Sequence, residues 1–199
     1  MHFYFFIMMY QVSSLSNAFI FADPPFEQES KLTDKCETQL KVIFQKNVID
    51  EEGMDFNKFT TLLNIFVKLH DYNENEIEYL FIELVGDIDG LMNEEQFVLQ
   101  TTCVVQKIET QINEYYNRYT HQHKMTIEVL KEALSAFKLD ISDERAIELI
   151  NVERTDAQNI SAQAFRNILA KLYIEYTWTR EDEQLLMKTF ALYESLDPR

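Results

Sequence analysis

The sequence predicts an all-α protein, and three observations carry that expectation. The chain has 199 residues, of which 46% are apolar and 13% aromatic, enough for a packed interior rather than disorder. Its only prolines are Pro24, Pro25 and Pro198, and its only glycines are Gly53, Gly86 and Gly90, so residues 26–197 run almost without helix breakers. Apolar residues also recur at helical spacing through most of that stretch.

In chain order, Leu40, Ile43 and Phe44 form the first apolar stripe, and Phe59, Leu62, Leu63 and Phe66 the second. Ile77, Leu80, Phe81 and Leu84 follow, then Phe97, Val104, Val105 and Ile108. The second half repeats the rhythm with Ile112, Tyr115, Tyr116 and Tyr119, then Leu130, Ala133, Leu134 and Phe137. Ala146, Ile147 and Ile150 precede Phe165, Ile168, Leu169 and Leu172. Eight amphipathic segments result, taken in pairs.

Each pair shares a phrase at its centre: MDFNKF, MNEEQF, MTIEVL and ISAQAF. An apolar residue comes first (Met54, Met92, Met125, Ile160), at intervals of 38, 33 and 35 residues. Such a period marks one supersecondary unit used four times. The second residue is Asp55, Asn93, Thr126 or Ser161, always a type whose side-chain oxygen accepts a free N–H in the first helical turn. Asn73-x-x-Glu76 and Asp34-x-x-Glu37 read as capping-box starts for the preceding helices.

On these phrases the chain, from about residue 34 to 176, resembles the EF-hand family in its four-hand, calmodulin and light-chain-like form. That resemblance implies two lobes of paired helix–loop–helix units: hands one and two in residues 33–106, hands three and four in 107–176. The family's twelve-residue loop has calcium ligands at positions 1, 3, 5, 7, 9 and 12 and glycine at position 6. Its position 8 is an apolar residue that pairs the two loops of a lobe. With Gly90 at position 6, Met92 falls at 8, Asn93 at 9 and Phe97 at 13.

The ligands are not kept. Position 12 closes a calcium site with a bidentate carboxylate, but this chain has Lys58, Gln96, Val129 and Ala164 there. Position 1 has Asn47, Val85, Arg118 and Glu153. Only the second loop offers a candidate cation site, from Asp87, Asp89, Asn93, the Leu91 carbonyl and the neutral oxygen of Gln96. Two carboxylates without bidentate closure should hold calcium far more weakly than a sensor's ~10⁻⁷–10⁻⁵ M range. The expected cofactor is therefore none, or weakly bound calcium.

Degenerate hands of the light-chain kind imply calcium-independent wrapping of a basic amphipathic or IQ-type helix of a larger protein. Groove candidates on that reading are Phe59, Leu63, Phe66, Phe97, Tyr116, Leu130, Leu134, Phe137, Phe165 and Leu169. The net charge of −16 suits a basic target and disfavours nucleic acid or an anionic membrane surface. The alternatives are a weak calcium or magnesium responder working through the Asp87–Asp89 loop, and a secreted or luminal EF-hand protein.

No phosphate-cradling glycine loop and no nucleophile-plus-base motif appears, so no enzyme is expected. His121-Gln122-His123 offers two imidazoles but no further ligand nearby and reads as a solvated loop. Cys36 and Cys103 are too few for a disulfide scaffold and read as two free, buried thiols.

Residues 1–32 read as an apolar extension followed by a polar linker. Phe3–Tyr10 has the length of a signal-peptide core and Ser16-Asn17-Ala18 a small-x-small cleavage site, though no basic residue precedes them. Polar residues from Gln11 to Asn17 interrupt the stretch, so no membrane span is expected. The expected location is cytoplasmic or cytoskeletal, or the secretory pathway if residues 1–18 are removed. Thr179-x-x-Asp182 opens an extra C-terminal helix in residues 177–199, with Leu185, Leu186, Phe190 and Leu196 on its apolar side.

Overall fold

The computed structural model describes residues 19–21, 23–27, 31–48, 52–121 and 123–176. The candidate signal segment and the expected helix after Thr179 lie outside these residues. Eight helices and no named strand are present among the described residues, so the chain is all-α.

Helix α1 spans Asp34–Asn47. Its N-cap is Thr33, whose hydroxyl accepts the Cys36 N–H at 3.3 Å, so the expected Asp34 cap sits one residue too late. Asp34 and Glu37 instead place negative charge in the first turn, where it complements the helix dipole. Helix α2, Phe56–Asn64, starts as expected at Asp55, whose carboxylate accepts the Lys58 N–H at 2.7 Å. Phe66, at φ −109° and ψ 14°, then breaks the helical path, and the short α3 covers Val67–His70. Helix α4, Glu74–Val85, opens on a complete Asn73–Glu76 capping box and ends at Gly86, whose φ of 86° favours glycine.

Helix α5 spans Glu94–Thr120 and joins two of the predicted segments into one rod of 27 residues, roughly 40 Å long. The boundary expected at residues 106/107 therefore falls within a helix. No breaker occurs between Phe97 and Tyr119, and one buried face runs through Val104, Val105, Ile108 and Ile112. Helices α6, Ile127–Ser135, and α7, Asp143–Val152, follow, and residues 162–176 form α8. Ser161 caps α8 through the Ala164 N–H at 3.2 Å. Thr126 makes no such cap at α6; its hydroxyl donates to the Glu128 carboxylate instead. The cap at α7 is Ser142, which no repeat phrase flags.

Helix α5 is the spine: α1, α3 and α4 pack on its first half and α6 on its second, with α2 on α4 and α7 on α6. The buried residues form one continuous cluster through both halves. Each fully buried Leu, Ile or Phe in it contributes about 1.5–3 kcal/mol. Two expectations about the interior need correction. Ile147 is 47% exposed, and Leu149 takes its place inward, because α7 turns a different face to α6 than the stripe suggests. Cys103 is exposed, not buried, lying on the outer side of α5; only Cys36 is an interior thiol.

The end of the apolar extension and the two ends of the expected linker are packed, while Glu27 and Lys31 within the linker are exposed. Phe19, Ile20, Phe21, Pro25 and Leu32 are buried, and Phe26 bridges antiparallel to Leu32.

Candidate functional site

The four central phrases meet in pairs. Met54 and Met92 exchange two backbone hydrogen bonds, each 2.9 Å, and both side chains are fully buried. Gly53 permits this approach: a Cβ there would stand 2.9 Å from both Leu91 Cβ and the Met92 carbonyl, and its φ of 155° is one that side chains rarely adopt. In the second half Ile160 N–H donates to Met125 O at 2.8 Å. The return bond is not made; Ile160 O accepts the Tyr116 hydroxyl at 3.0 Å. Sequence spacing located all four residues, but not Gly53 or Tyr116 as their supports.

The positions where a calcium loop would carry ligands hold side chains engaged in the fold. Gln96 and Asn93 close a capping box, each accepting the other's backbone N–H at 2.9 Å, and the Gln96 amide donates to Leu84 O at 2.6 Å. Asp87 accepts the Asp89 N–H at 3.1 Å, which leaves two exposed carboxylates in a tight turn. Gly90 keeps that turn closed, since a Cβ there would lie 2.6 Å from Val85 Cγ1. The side-chain oxygens of Asn93 and Gln96 are thus committed to helix capping. Beside them the turn supplies two carboxylates, Asp87 and Asp89, where calcium takes six to eight oxygens.

The other loops tell the same story with different chemistry. Asn47 donates to Ile43 O at 2.8 Å and finishes α1. Arg118 lies over the Tyr115 ring, 4.8 Å from its centroid. Glu153 receives Lys171 Nζ at 2.6 Å and Asn167 Nδ2 at 2.8 Å. Burial pushes the Glu153 carboxyl up, but these two donors more than offset it and hold it below the usual range. Val129 and Ala164 pack inward and Lys58 points to solvent. Among the described residues no group of three or more His, Cys, Asp or Glu is placed to hold a metal ion.

Nine of the ten groove candidates are interior in this arrangement. Phe59, Leu63, Phe66, Phe97, Leu130, Leu134, Phe165 and Leu169 have no exposed surface, and Phe137 is 4% exposed. Tyr116 is half-buried against Phe165, with ring centroids 5.9 Å apart. The first half of the groove is covered by the chain itself. Phe19 sets its ring 5.5 Å from Phe66 and 6.2 Å from Phe97, and Tyr173 of α8 stacks on Phe66 at 5.6 Å. The Tyr173 hydroxyl also donates to Ile65 O at 3.1 Å, where α2 ends.

Two polar contacts brace this arrangement. Arg166 on α8, 6% exposed, grips Glu109 on α5 through Nε and Nη2, the shortest contact 2.6 Å. They line a cleft of about 190 Å³ with Pro24, Ile112 and Tyr116. His70 is fully buried at the end of α3. Its Nδ1 accepts the Tyr72 N–H at 2.9 Å, so the proton sits on Nε2, which donates to Leu63 O at 2.8 Å. Burial holds its pKa below the ordinary histidine range.

Among the described residues no helix is long and apolar enough to cross a membrane. No family model matches the chain, and no curated protein and no solved structure matches it significantly.

Proposed function

We propose that the chain is a non-catalytic, EF-hand-like module with two paired units in residues 33–106 and 107–176, which holds its shape without calcium and binds a basic amphipathic helix. The observation that carries this reading is the reciprocal Met54–Met92 pairing, at the loop positions where paired hands are joined. It is supported by the second pairing, Met125 with Ile160, and by ligand positions that serve as caps, ion pairs or packing residues. The acidic surface, with a net charge of −16, complements a basic helix.

The test is a calcium titration of the full chain followed by backbone amide NMR, then repeated with a basic helical peptide. Unchanged spectra into millimolar calcium, together with peptide binding, support the reading. Micromolar saturation confined to resonances around Gly90 would replace it with a calcium responder at Asp87 and Asp89. Restoring the ligand set with Val85→Asp and Gln96→Glu is expected to raise calcium affinity at least tenfold, although the second change gives up the amide bond to Leu84 O. No gain at all in isothermal titration would mean that the loop register is wrong. The mass of the chain purified from a eukaryotic host tells whether residues 1–18 are removed.

A further inference from the structure

The aromatic cluster formed by α1, α2, the Phe66 break after α2 and α5 is completed from outside the helical repeat. Phe19 enters a slot between Phe66 at 5.5 Å and Phe97 at 6.2 Å, and Phe97 in turn touches Phe44 at 5.5 Å and Phe59 at 6.5 Å. Of these rings Phe19 alone comes from upstream of α1. Its segment is nonetheless deeply set, with Phe19, Ile20 and Phe21 at 0%, 1% and 5% exposure.

What holds the segment is unlike what holds the helices. Among the described residues no hydrogen bond is made by Phe19, Ile20 or Phe21. The polar anchors lie downstream of them: an exposed ion pair, Asp23 with Lys35 at 2.6 Å, of the kind that adds little stability, and the Pro25 carbonyl, which accepts the Thr33 N–H at 2.8 Å and would serve as the hinge. Upstream of these anchors Phe19, Ile20 and Phe21 are retained by apolar burial, so another apolar group of similar shape can replace them without breaking a hydrogen bond. The helices cannot be exchanged in this way.

We propose that Phe19–Phe21 is a built-in, displaceable occupant of this slot, and that a basic helix carrying an aromatic or leucine anchor enters by expelling it. The proposal rests on the helix-binding reading above and adds its regulation: the resting protein is closed by its own strap. Tyr173 remains as the opposite wall, since its hydroxyl is fixed to Ile65 O and its ring to Phe66. The apparent Kd is then the intrinsic Kd divided by the fraction of time the slot is empty.

The experiment compares the full chain with the variant Phe19→Ser, Ile20→Ser, Phe21→Ser. The probe is a synthetic Leu/Lys/Trp amphipathic peptide on the order of 20 residues long. The variant is expected to keep its helical circular dichroism and to bind the probe at least tenfold more tightly, with a peptide of residues 19–26 competing. Equal affinity in both chains would overturn the strap proposal and leave the helix-binding reading standing. Binding in neither chain, while the 19–26 peptide still binds the variant, would overturn the helix-binding reading and the competition with it. A second measurement covers the case in which the variant does not fold. With 4-fluorophenylalanine at position 19 of the otherwise unaltered chain, saturating probe is expected to move the fluorine resonance to its solvent value. A resonance that stays at its buried position at saturation would make the strap a fixed part of the core.

Discussion

The two halves of the molecule share the same recurring sequence phrase but close their interiors differently. The first half is aromatic: Phe44, Phe59, Phe66, Phe81 and Phe97 meet in it, and the packing is completed by Phe19 from upstream and Tyr173 from downstream. The second half is more aliphatic, with Leu130, Ala133, Leu134, Leu149, Ile150, Ile168 and Leu169 buried alongside Phe137 and Phe165, and its rings meet in separate pairs, Tyr115 with Phe137 and Tyr116 with Phe165. Branched aliphatic side chains fill space between short helices in small increments, whereas rings leave larger gaps that need another ring. The first half therefore depends on distant segments, and the second helps to close it through α8.

The loops differ in parallel. The first pairing is a reciprocal backbone exchange that needs Gly53, while in the second a tyrosine hydroxyl supplies one of the two bonds. One backbone pairing is thus supported by the lack of a side chain at Gly53 and the other by the presence of one at Tyr116.

The largest expected effect tests the contrast in packing. Phe97→Ala removes the ring at the meeting point of three others and is expected to cost about 3–5 kcal/mol in urea unfolding. Phe165→Ala, with Tyr116 as its recorded ring neighbour, should fall at the lower end of that range. A larger loss at Phe165 would remove the argument that the first half is the more ring-dependent.

Next in size is Gly53→Ala, expected to cost roughly 1–3 kcal/mol, because the new Cβ clashes with the Met92 carbonyl in a strained backbone conformation. Hydrogen exchange should speed up at Met54 and Met92 and not at Met125 or Ile160. Uniform acceleration across both pairs would show that the halves do not open separately.

One pH response is specific to the first half. His70 is buried neutral and its pKa is lowered from 6.5, so the unfolded chain takes up its proton first as the solution is acidified. The stability that comes from burying neutral imidazole is present above about pH 6.5 and is lost as pH falls through the lower, folded value. A pH series of unfolding midpoints should show this loss in the unaltered chain and a flatter profile in His70→Gln. Identical slopes would assign the acid sensitivity to other groups.

Smallest is Tyr116→Phe, which takes one hydrogen bond from Ile160 O and is expected to cost about 0.5–1.5 kcal/mol. Faster exchange at the Ile160 amide alone should accompany it. An unchanged midpoint would mean that Ile160 O finds another donor, and the two pairings would then be more alike than the structure suggests.

Much of this architecture is legible in the chain itself, because it is set by local rules. Near-absence of proline and glycine, and apolar residues at helical spacing, dictate the helices. The recurring phrases locate Met54, Met92, Met125 and Ile160, and the polar residues after them cap three of the four helices that follow. The tertiary structure decided what depends on distant neighbours: α5 as one rod, Ile147 turned outward, Cys103 on the surface, and apolar stripes that meet as one interior. The greatest departure is Phe19–Phe21, which has no helical period and no hydrogen-bonding pattern to announce it. Only the shape of the space left between Phe66 and Phe97 gives it a place, and such a space exists only once the helices have been brought together.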